Sequence, residues 1–204
     1  QRDRLCLVQL SDGKGDEHLV QFRPGVFNAP NLVKLLSDPK RIKLFHFARF
    51  DVAILKHYLG VDTAPIYCTK IASRLTRTFT DRHGFKDICR DLLGVEVSKQ
   101  QQSSDWGAET LTPEQQEYAA SDVRYLHRLR LEQARWLVYK ACVDADGTAS
   151  RLESSMAKVA ATEAAVYVTD QAMQMFGATG MSQEMPLEWM YRMVRPYTVA
   201  GGTS

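Results

Sequence analysis

Two aspartates and a tyrosine are the residues whose types and spacing best suit chemistry at a metal ion. Asp51 follows the apolar stretch 42–47 and opens a predicted helix, whereas Tyr118 and Asp122 lie four residues apart on one face of another helix. In an open α/β sheet the carboxyl ends of the strands form the ligand crevice. An aspartate there, near a second aspartate on a packing helix, suits a hard divalent cation with oxygen ligands.

Each of these features also has a purely structural interpretation. An aspartate at a helix start is more often an N-cap than a metal ligand. A tyrosine and an aspartate on one helix face are often half-buried packing and a solvated charge. The basic residues that bracket Asp51 form either a solvated surface or a rim that attracts phosphate, and they are Lys34, Lys40, Arg41, Lys43 and Arg49.

The sequence around the aspartates resembles the ribonuclease D-like 3′–5′ exonucleases, the DEDD family whose last motif is Tyr-x-x-x-Asp. His-Phe-Ala-Arg-Phe-Asp at 46–51 is similar to the second motif, and 118–122 is similar to the third. The segments 78–87 and 98–106, which lie between these motifs, also resemble ribonuclease D and occur in the family's order. The resemblance covers residues 2–130.

This resemblance implies a metal-dependent ribonuclease. Asp51, Tyr118 and Asp122 would be catalytic: the two aspartates would bind Mg²⁺ or Mn²⁺, and the tyrosine would help to position the attacking water. Two metal ions ~4 Å apart can stabilise both the attacking and the leaving oxygen in phosphodiester hydrolysis. The implied substrates are RNA 3′ ends, single-stranded or tRNA-like, and the residues expected to contact RNA are His46, Phe50, Arg82, His83 and Lys99.

The family's first motif, Asp-x-Glu on the first strand, does not occur in the sequence, which starts at Gln1. We therefore expect a truncated or processed chain with half of the acidic ligands and impaired nuclease activity. In this fold the missing strand lies in the middle of the sheet, so its neighbours lose a hydrogen-bonding partner. Each unpaired buried backbone group costs roughly 1–3 kcal/mol, against a typical total stability of ~5–15 kcal/mol.

The coarse pattern predicts an α/β layer followed by helices. Strands are predicted over 5–10, 18–22, 42–47 and 66–69, with helices over 31–36, 50–59, 70–75 and 84–93. Thr112, Pro113 and Gln115 together predict a capped helix start. Beyond residue 131, helices are predicted over 132–143, 151–176 and 186–194. The predicted fold is a ribonuclease H-like exonuclease layer lacking its first strand, over residues 1–131, and an all-α segment over 132–204.

The second part of the sequence resembles the C-terminal helical domain of acyl-CoA dehydrogenases. The similar segments are 155–158, 170–177, 186–192 and 201–204, in the family's order. The resemblance implies flavin contacts by Gln174, Gly177 and Thr203. Ala178, however, replaces the family's second glycine, and Gly201 stands where some members keep a catalytic glutamate. We expect helices that pack without a cofactor, and FAD is not expected to bind.

The bulk properties are those of a soluble globular protein. Of the 204 residues 45% are hydrophobic and 25% are charged, and a net charge of +2 does not identify a nucleic-acid-binding protein. No apolar run is long enough to cross a membrane. The four cysteines lack C-x-x-C spacing and fall in apolar stretches, so we expect buried free thiols in a reducing, cytoplasmic compartment.

These observations leave three functional hypotheses. The first is an impaired 3′–5′ exoribonuclease domain, and the second is a flavin-dependent acyl-CoA dehydrogenase fragment. The third is a catalytically inactive interaction protein that forms a homo-oligomer through its C-terminal helices. The two resemblances meet near Trp136 without a linker. A gene-fusion remnant, an assembly artefact and an artificial chimera are all compatible with that junction.

Overall fold

The structure, a computed structural model, describes residues 4–98, 100–143 and 151–200, with the side chain of Val143 excepted. The chain divides into two compact units, Gln1–Arg130 (unit 1) and Leu131–Ser204 (unit 2). Among the described helices, none combines the length and the apolar character that a membrane crossing requires. Each unit is built differently and is described by itself.

Unit 1 contains two small sheets. Strands β1 (Leu7–Ser11) and β2 (Glu17–Gln21) form an antiparallel hairpin. Strands β3 (Lys43–Phe45) and β4 (Ile66–Cys68) pair in parallel. Within the described residues each strand therefore has a single hydrogen-bonded neighbour. The four strands lie where the sequence predicted them, with shorter bounds in β1, β3 and β4.

Six helices begin in the described part of unit 1, and their ends follow local sequence signals. Helices α2 and α4 each stop at a glycine with φ of 66°, a left-handed conformation that suits a residue without Cβ. The bounds are α1 (Pro30–Ser37), α2 (Arg49–Leu59), α3 (Thr69–Thr76), α4 (Phe85–Leu93), α5 (Pro113–Arg124) and α6 (Leu126–Val143), the last of which continues into unit 2.

The start of α5 is a capping box, as the sequence predicted. The Thr112 hydroxyl accepts a hydrogen bond from the Gln115 backbone N–H at 3.3 Å, and the Gln115 side-chain oxygen accepts one from the Thr112 N–H at 2.9 Å. Two of the free N–H groups at the helix start are thus satisfied. The Gln115 amide also donates to the Asp105 carbonyl at 3.2 Å, which ties the preceding loop to α5.

Two groups of buried apolar side chains form the interior of unit 1. The first packs β1 against α1 and α2, and it consists of Leu5, Val8, Phe22, Leu32, Leu36, Leu55 and Val61. The second joins α4 to the start of α6, and it consists of Ile88, Cys89, Val97 and Leu129. Fully burying one such side chain stabilises a fold by about 1.5–3 kcal/mol.

Lys43 connects the segments that lead into β3 and β4. Its ammonium group donates to the carbonyl oxygens of Asp38 and Arg41, each at 2.7 Å, and to that of Ala64. Its backbone N–H donates to the Pro65 carbonyl at 3.0 Å. Three acceptors match the three hydrogens of an ammonium group. Burial lowers the pKa of Lys43, and the negative charge of Asp38 opposes this change.

The described part of unit 2 is helical. Helix α7 (Arg151–Phe176) and helix α8 (Pro186–Val194) confirm the predicted bounds, and each is followed by a short 3-10 turn. Helix α7 buries three side chains, none of them large, and none of the residues of α8 is buried. Several large apolar side chains of unit 2 are exposed, among them Leu152, Met175, Trp189, Met193 and Tyr197.

The expectation that the cysteines are buried is only partly correct. All four are free thiols, but Cys142 is exposed, and Cys6 and Cys68 are half-buried. Cys89 lies in the second apolar group, where burial raises the pKa of its thiol to about 12. Position in an apolar stretch did not predict burial because Cys142 lies on α6, a helix with one face in solvent.

Candidate active site

The structure brings together the carboxylates of Asp51 and Asp122. Asp51 lies in the first turn of α2, directly after β3, and Asp122 lies on α5, which packs on the hairpin of β1 and β2. Burial and then the negative charge of Asp51 raise the pKa of Asp122 to about 6. Burial also raises the pKa of Asp51 to about 6, although part of its side chain reaches solvent. The two groups are therefore close enough to interact electrostatically.

The alternative interpretation of Asp51 as an N-cap is wrong. The N-cap position of α2 is Ala48, which has no side chain that can accept a hydrogen bond. Asp51 stands three residues further on. A carboxylate there interacts favourably with the helix N-terminus. That interaction does not offset the cost of burial, since the pKa of Asp51 is raised.

The carboxylate pair fits one hard divalent cation. Both pKa values are raised, so the surroundings disfavour negative charge, and a bound cation would remove that penalty. Proteins commonly hold Mg²⁺ with one or two carboxylates, while waters and phosphates supply the other ligands. In the described residues no group of three or more His, Cys, Asp or Glu side chains could hold a metal.

Tyr118 stands one turn before Asp122 on α5 and is half-buried. Its ring packs against that of Trp106, with 5.9 Å between the ring centroids. Burial and the negative charge of Asp122 raise the pKa of the Tyr118 hydroxyl. The hydroxyl therefore stays protonated near neutral pH and can donate a hydrogen bond.

His46 is held as a neutral ring. The Thr69 hydroxyl donates to the Phe45 carbonyl at 3.1 Å, so the His46 Nδ1, 3.0 Å from the same hydroxyl oxygen, carries the proton that joins them. Burial and then the positive charge of Lys70 lower the pKa of His46 to about 4. The remaining ring nitrogen, Nε2, is thus a hydrogen-bond acceptor at neutral pH.

Two exposed aromatic side chains lie shortly before Asp51 in the chain. Phe50 precedes Asp51 and is 54% exposed, and Phe47 is 40% exposed with a left-handed φ of 62°. The two rings meet edge to face at 5.1 Å, and the Lys70 ammonium lies 3.8 Å from the Phe47 ring centroid. Sequence analysis proposed Phe50 but missed Phe47 and Lys70. The three-residue spacing of the phenylalanines could have indicated the aromatic pair, whereas nothing local indicated Lys70.

Arg82 and His83, two further residues expected to contact RNA, lie in the loop after α3 and differ in exposure. The Arg82 side chain is exposed, so a contact with RNA stays a prediction. The His83 side chain is buried, with Nδ1 2.9 Å from the Ser73 hydroxyl oxygen. Burial of this ring argues against a contact between His83 and RNA, because the ring is already used inside unit 1. The buried Arg77 donates to the Arg82 carbonyl at 2.9 Å and pairs with Asp91.

The remaining predicted residues belong to unit 2 or to the residues that the structure does not describe. Lys99 and Thr203 belong to the residues that the structure does not describe. Gln174 is exposed near the end of α7, and Gly177 begins the 3-10 turn that follows, with φ of 56°. Both belong to unit 2.

Arg124 positions α5, and sequence analysis did not single it out. Its guanidinium donates to both carboxylate oxygens of Glu17 on β2, at 3.2 and 3.3 Å, and to those of Glu117 on α5, at 2.6 and 3.2 Å. The hydrogen bonds from Glu117 and then Glu17 raise the pKa of Arg124. This network holds α5 against the hairpin two residues after Asp122.

Comparison with known proteins identifies the family of unit 1. Residues 1–133 match the family model described as 3′–5′ exonuclease. The chain belongs to this 3′–5′ exonuclease family. The predicted ribonuclease D-like resemblance is confirmed. Residues 126–204 match a second family model, the acyl-CoA dehydrogenase C-terminal domain, so the predicted similarity of the tail is also found.

Two curated relatives represent the two parts of this exonuclease-family chain. Ribonuclease D of Gluconacetobacter diazotrophicus is 37% identical over 133 residues, which cover 63% of this chain and 33% of the relative. The 3-sulfinopropanoyl-CoA desulfinase of Paraburkholderia xenovorans is 42% identical over 76 residues, which cover 37% of this chain and 20% of the relative. The chain spans about a third of the length of the ribonuclease D relatives it matches.

Solved structures of Brucella melitensis NrnC share the fold. NrnC bound to pGG is 52% identical, with a TM-score of 0.65, and the match covers 76% of this chain and 72% of that chain. NrnC with bound Mg²⁺ is 49% identical, with the same TM-score of 0.65, and the match covers 76% of this chain and 74% of that chain. The predicted fold class, an α/β exonuclease layer, is confirmed by these structural neighbours.

Proposed function

We propose that unit 1 acts on RNA 3′ ends as a 3′–5′ exoribonuclease-type domain that depends on a divalent cation. The observation that carries this proposal is the convergence of Asp51 and Asp122, where the charge of one carboxylate raises the pKa of the other. Family membership and the Mg²⁺-bound and pGG-bound structures of NrnC support it.

In this proposal Asp51 and Asp122 hold the cation, Mg²⁺ or Mn²⁺. When bound, the cation would polarise the scissile phosphate and lower the pKa of a coordinated water. The protonated Tyr118 hydroxyl would orient the attacking water by a hydrogen bond. The neutral His46 ring would accept a hydrogen bond from a hydroxyl group of the RNA, because its Nε2 carries no proton. Phe50 would stack on a base.

We further propose that the 204 residues alone bind the cation weakly and hydrolyse RNA slowly. They contain two of the four acidic residues of the resembling family, and the sequence has no Asp-x-Glu motif. In the described residues no larger acidic cluster replaces the missing ligands. A two-metal mechanism would require ligands beyond these residues.

Manganese binding tests the proposed site directly. We expect the protein to remove free Mn²⁺ from an electron paramagnetic resonance titration, with weak affinity and one site. Asp122→Asn should weaken binding by at least about tenfold, since even the outer partners of metal ligands contribute about 10–100-fold. Asp170→Asn, which changes an exposed carboxylate of unit 2, is the matched control and should leave binding unchanged.

Trimming of a 5′-labelled single-stranded RNA tests the reaction in the same samples. We expect slow stepwise shortening that Asp51→Asn and Asp122→Asn abolish, and that an added upstream strand with Asp-x-Glu accelerates. If Asp122→Asn bound Mn²⁺ as tightly as the unchanged protein does, the proposed cation site would be wrong. Rapid trimming by the 204 residues would contradict only the proposed impairment.

A second proposal concerns unit 2, which we propose acts from about residue 132 as a separate helical domain. It would form a homo-oligomer through α7 and α8 and would not bind FAD. The exposed apolar side chains of α7 and α8, including Leu152, Trp189 and Met193, support self-association. Light scattering should show a mass that rises with concentration and falls in Trp189→Ser. A yellow protein with flavin absorption would favour the dehydrogenase alternative.

The cellular location that we propose is the cytoplasm. Four free thiols, one of them exposed, support a reducing compartment.

A further inference from the structure

Helix α3 has an inverted amphipathic pattern. The side chains that it buries are small or carry a hydroxyl group, and they are Thr69, Ala72, Ser73 and Thr76. Its two large apolar side chains face outward instead, since Ile71 is 60% exposed and Leu75 is 46% exposed. A surface helix normally buries its apolar stripe and exposes its polar residues. The outer face of α3 therefore has the character of a surface that another molecule covers.

Hydrogen bonds fix which face of α3 points inward. The Thr69 hydroxyl donates to the Phe45 carbonyl at 3.1 Å, and the Ser73 hydroxyl oxygen lies 2.9 Å from Nδ1 of the buried His83. Rotating the helix to bury its large apolar side chains would break these contacts and leave buried polar groups without partners, which is costly. The interior of unit 1 thus keeps the apolar face of α3 in solvent.

Phe79, just beyond the end of α3, continues this apolar face. It follows Leu75 by four residues and is 72% exposed. The Arg77 guanidinium lies 5.8 Å from the Phe79 ring centroid, and Arg77 is itself buried and paired with Asp91. We call Ile71, Leu75 and Phe79 together the α3 strip. Contiguous exposed apolar surface of this kind marks interaction sites.

The charge within the α3 strip is positive. Arg74 is exposed and stands on the same face of the helix as Ile71 and Leu75. In the part of the chain that the structure describes, Arg74 forms no ion pair. Asp81 and Arg82, which are both exposed in the following loop, are neighbours of opposite charge and offset each other. The uncompensated charge of this face is therefore that of Arg74.

This charge distinguishes among possible occupants. A second copy in two-fold contact would use the same face twice and bring two Arg74 guanidinium groups into one interface, which like-charge repulsion disfavours. An anionic bilayer would cover the whole face, including the exposed carboxylate of Asp81. A helix is narrower and can align a carboxylate with Arg74 alone. The eight residues of α3 are ~12 Å long, which matches about two turns of such a helix.

We propose that the α3 strip binds an acidic amphipathic helix of another protein. The apolar side chains of that helix, repeating at intervals of three and four residues, pack on Ile71, Leu75 and Phe79, and a carboxylate beside them pairs with Arg74. This partner-binding face belongs to unit 1 and does not depend on the proposed cation site or on hydrolysis of RNA.

Two synthetic peptides test the proposal. The probe is a labelled peptide of about five helical turns with a leucine stripe flanked by glutamates, and its counterpart carries lysine in place of each glutamate. Fluorescence anisotropy should show tighter binding of the acidic peptide, with a preference that shrinks as salt is added. Ile71→Ser should weaken its binding by about 5- to 20-fold, which corresponds to burying the exposed 60% of one such side chain. Arg74→Glu should reverse the preference between the peptides.

Val26→Ser and Arg23→Glu are the matched controls. Val26 is 58% exposed and Arg23 is exposed, and both lie in unit 1 in the segment between β2 and α1. The acidic peptide should bind these variants as tightly as it binds the unchanged protein. Equal weakening in Ile71→Ser and Val26→Ser would overturn the proposal. So would equal affinity of the unchanged protein for the two peptides.

Three further measurements separate this partner from the other occupants. Light scattering that showed self-association lost in Ile71→Ser but kept in Trp189→Ser would assign the strip to a second copy and overturn the proposal. Sedimentation with phosphatidylserine vesicles that Ile71→Ser abolished would assign the strip to lipid, with the same consequence. In hydroxyl-radical footprinting of the unchanged protein, the bound acidic peptide should protect Leu75 and Phe79 and leave Val26 equally reactive. Absence of that protection would contradict binding at α3.

Discussion

Unit 1 and unit 2 differ in what their helices bury. In unit 1, Ile88, Cys89 and Leu129 are completely inaccessible, and polar side chains such as Ser73 and Thr69 are buried with hydrogen-bonding partners. In unit 2 the buried residues of α7 are small, and no residue of α8 is buried. Unit 1 therefore has a well-buried interior, whereas several large apolar side chains of unit 2, such as Leu152 and Trp189, are exposed.

The polar contacts show the same difference. In unit 1 the buried Arg77 joins α3, the following loop and α4 through Ser73, the Arg82 carbonyl and Asp91. In unit 2 the pairs of Arg192 with Glu188 and of Arg135 with Glu132 each have one exposed partner, whereas Lys140 and Glu153 are both half-buried. Exposed pairs contribute about 0–1 kcal/mol. Polar networks therefore specify the fold of unit 1 more than that of unit 2.

The largest expected effect comes from opening a cavity in unit 1. Ile88→Ala removes a completely buried side chain, so the free energy of unfolding should fall by about 2–5 kcal/mol. Leu152→Ala, which truncates a 68% exposed side chain in unit 2, should change it by less than about 0.5 kcal/mol. Urea unfolding followed by circular dichroism measures both. Similar losses of unfolding free energy in the two variants would show that the two units do not differ in how much these apolar side chains stabilise them.

The next effect concerns arginines in the two units. Arg124→Met removes the hydrogen bonds to Glu17 and Glu117, and we expect a loss of about 1–2 kcal/mol after allowing for partial exposure. Arg135→Met, which removes an exposed ion pair with Glu132, should cost less than about 0.5 kcal/mol. Thermal unfolding distinguishes them. A larger loss for Arg135→Met would show that unit 2 depends on its surface charges.

A smaller effect, with a defined pH dependence, is expected for Asp122→Asn without divalent cations. The pKa of Asp122 is about 6 in the folded protein against an ordinary 3.8, so ionising the carboxyl opposes folding above about pH 6. Asparagine removes that opposition. The variant should melt higher by about 2–4 °C at pH 7.5, the shift expected for about 1 kcal/mol, with the difference shrinking as pH falls through 6 to 4.

Addition of Mg²⁺ supplies the control for that prediction. The cation should raise the Tm of the unchanged protein at pH 7.5 and leave that of Asp122→Asn as it was. Asp170→Asn, in unit 2, should show the same Tm as the unchanged protein, both as pH is varied and when Mg²⁺ is added. A variant that melts lower than the unchanged protein at pH 7.5 would contradict the raised pKa.

The smallest change in unfolding free energy is expected for Trp189→Ser. The side chain is exposed on α8, so the free energy of unfolding at low concentration should change by less than about 0.5 kcal/mol. The concentration dependence of the Tm should become weaker, because the Trp189 side chain is part of the proposed association surface. Calorimetry at several protein concentrations measures both quantities. If the Tm of the unchanged protein did not depend on protein concentration, the proposed self-association through unit 2 would be wrong.

The helix ends of this molecule could be predicted from local sequence signals. The features that could not be predicted depend on contacts between residues far apart in the sequence. Gly60 and Gly94 stop their helices, and Thr112 caps α5, because each effect involves residues within one turn. The contact between Arg124 and Glu17 joins residues 107 positions apart, which no local pattern contains. The site follows the same rule, since motif similarity suggested Asp51 while its pKa depends on tertiary burial.

Strand β3 illustrates a local failure of prediction. The apolar stretch 42–47 predicted a strand of that length, but the strand ends at Phe45. Phe47 has φ of 62°, and no glycine or asparagine marks the left-handed position. The burial of His83 was missed for a different reason, because it depends on Ser73 of a neighbouring helix.

The three hydrogen bonds of the Lys43 ammonium have a consequence for the contacts that this lysine can make with a ligand. A count of basic residues includes Lys43 and Arg41 in the positive rim, yet Lys43 directs its hydrogens at carbonyl oxygens and Arg41 pairs with Asp38 at 3.1 Å. A flat guanidinium could not reach three carbonyls arranged around one nitrogen, so arginine is not an equivalent residue at position 43. Lys43 keeps its positive charge but has no hydrogen left to donate to a phosphate, so it serves the architecture of the segments before β3 and β4 rather than direct contact with a ligand.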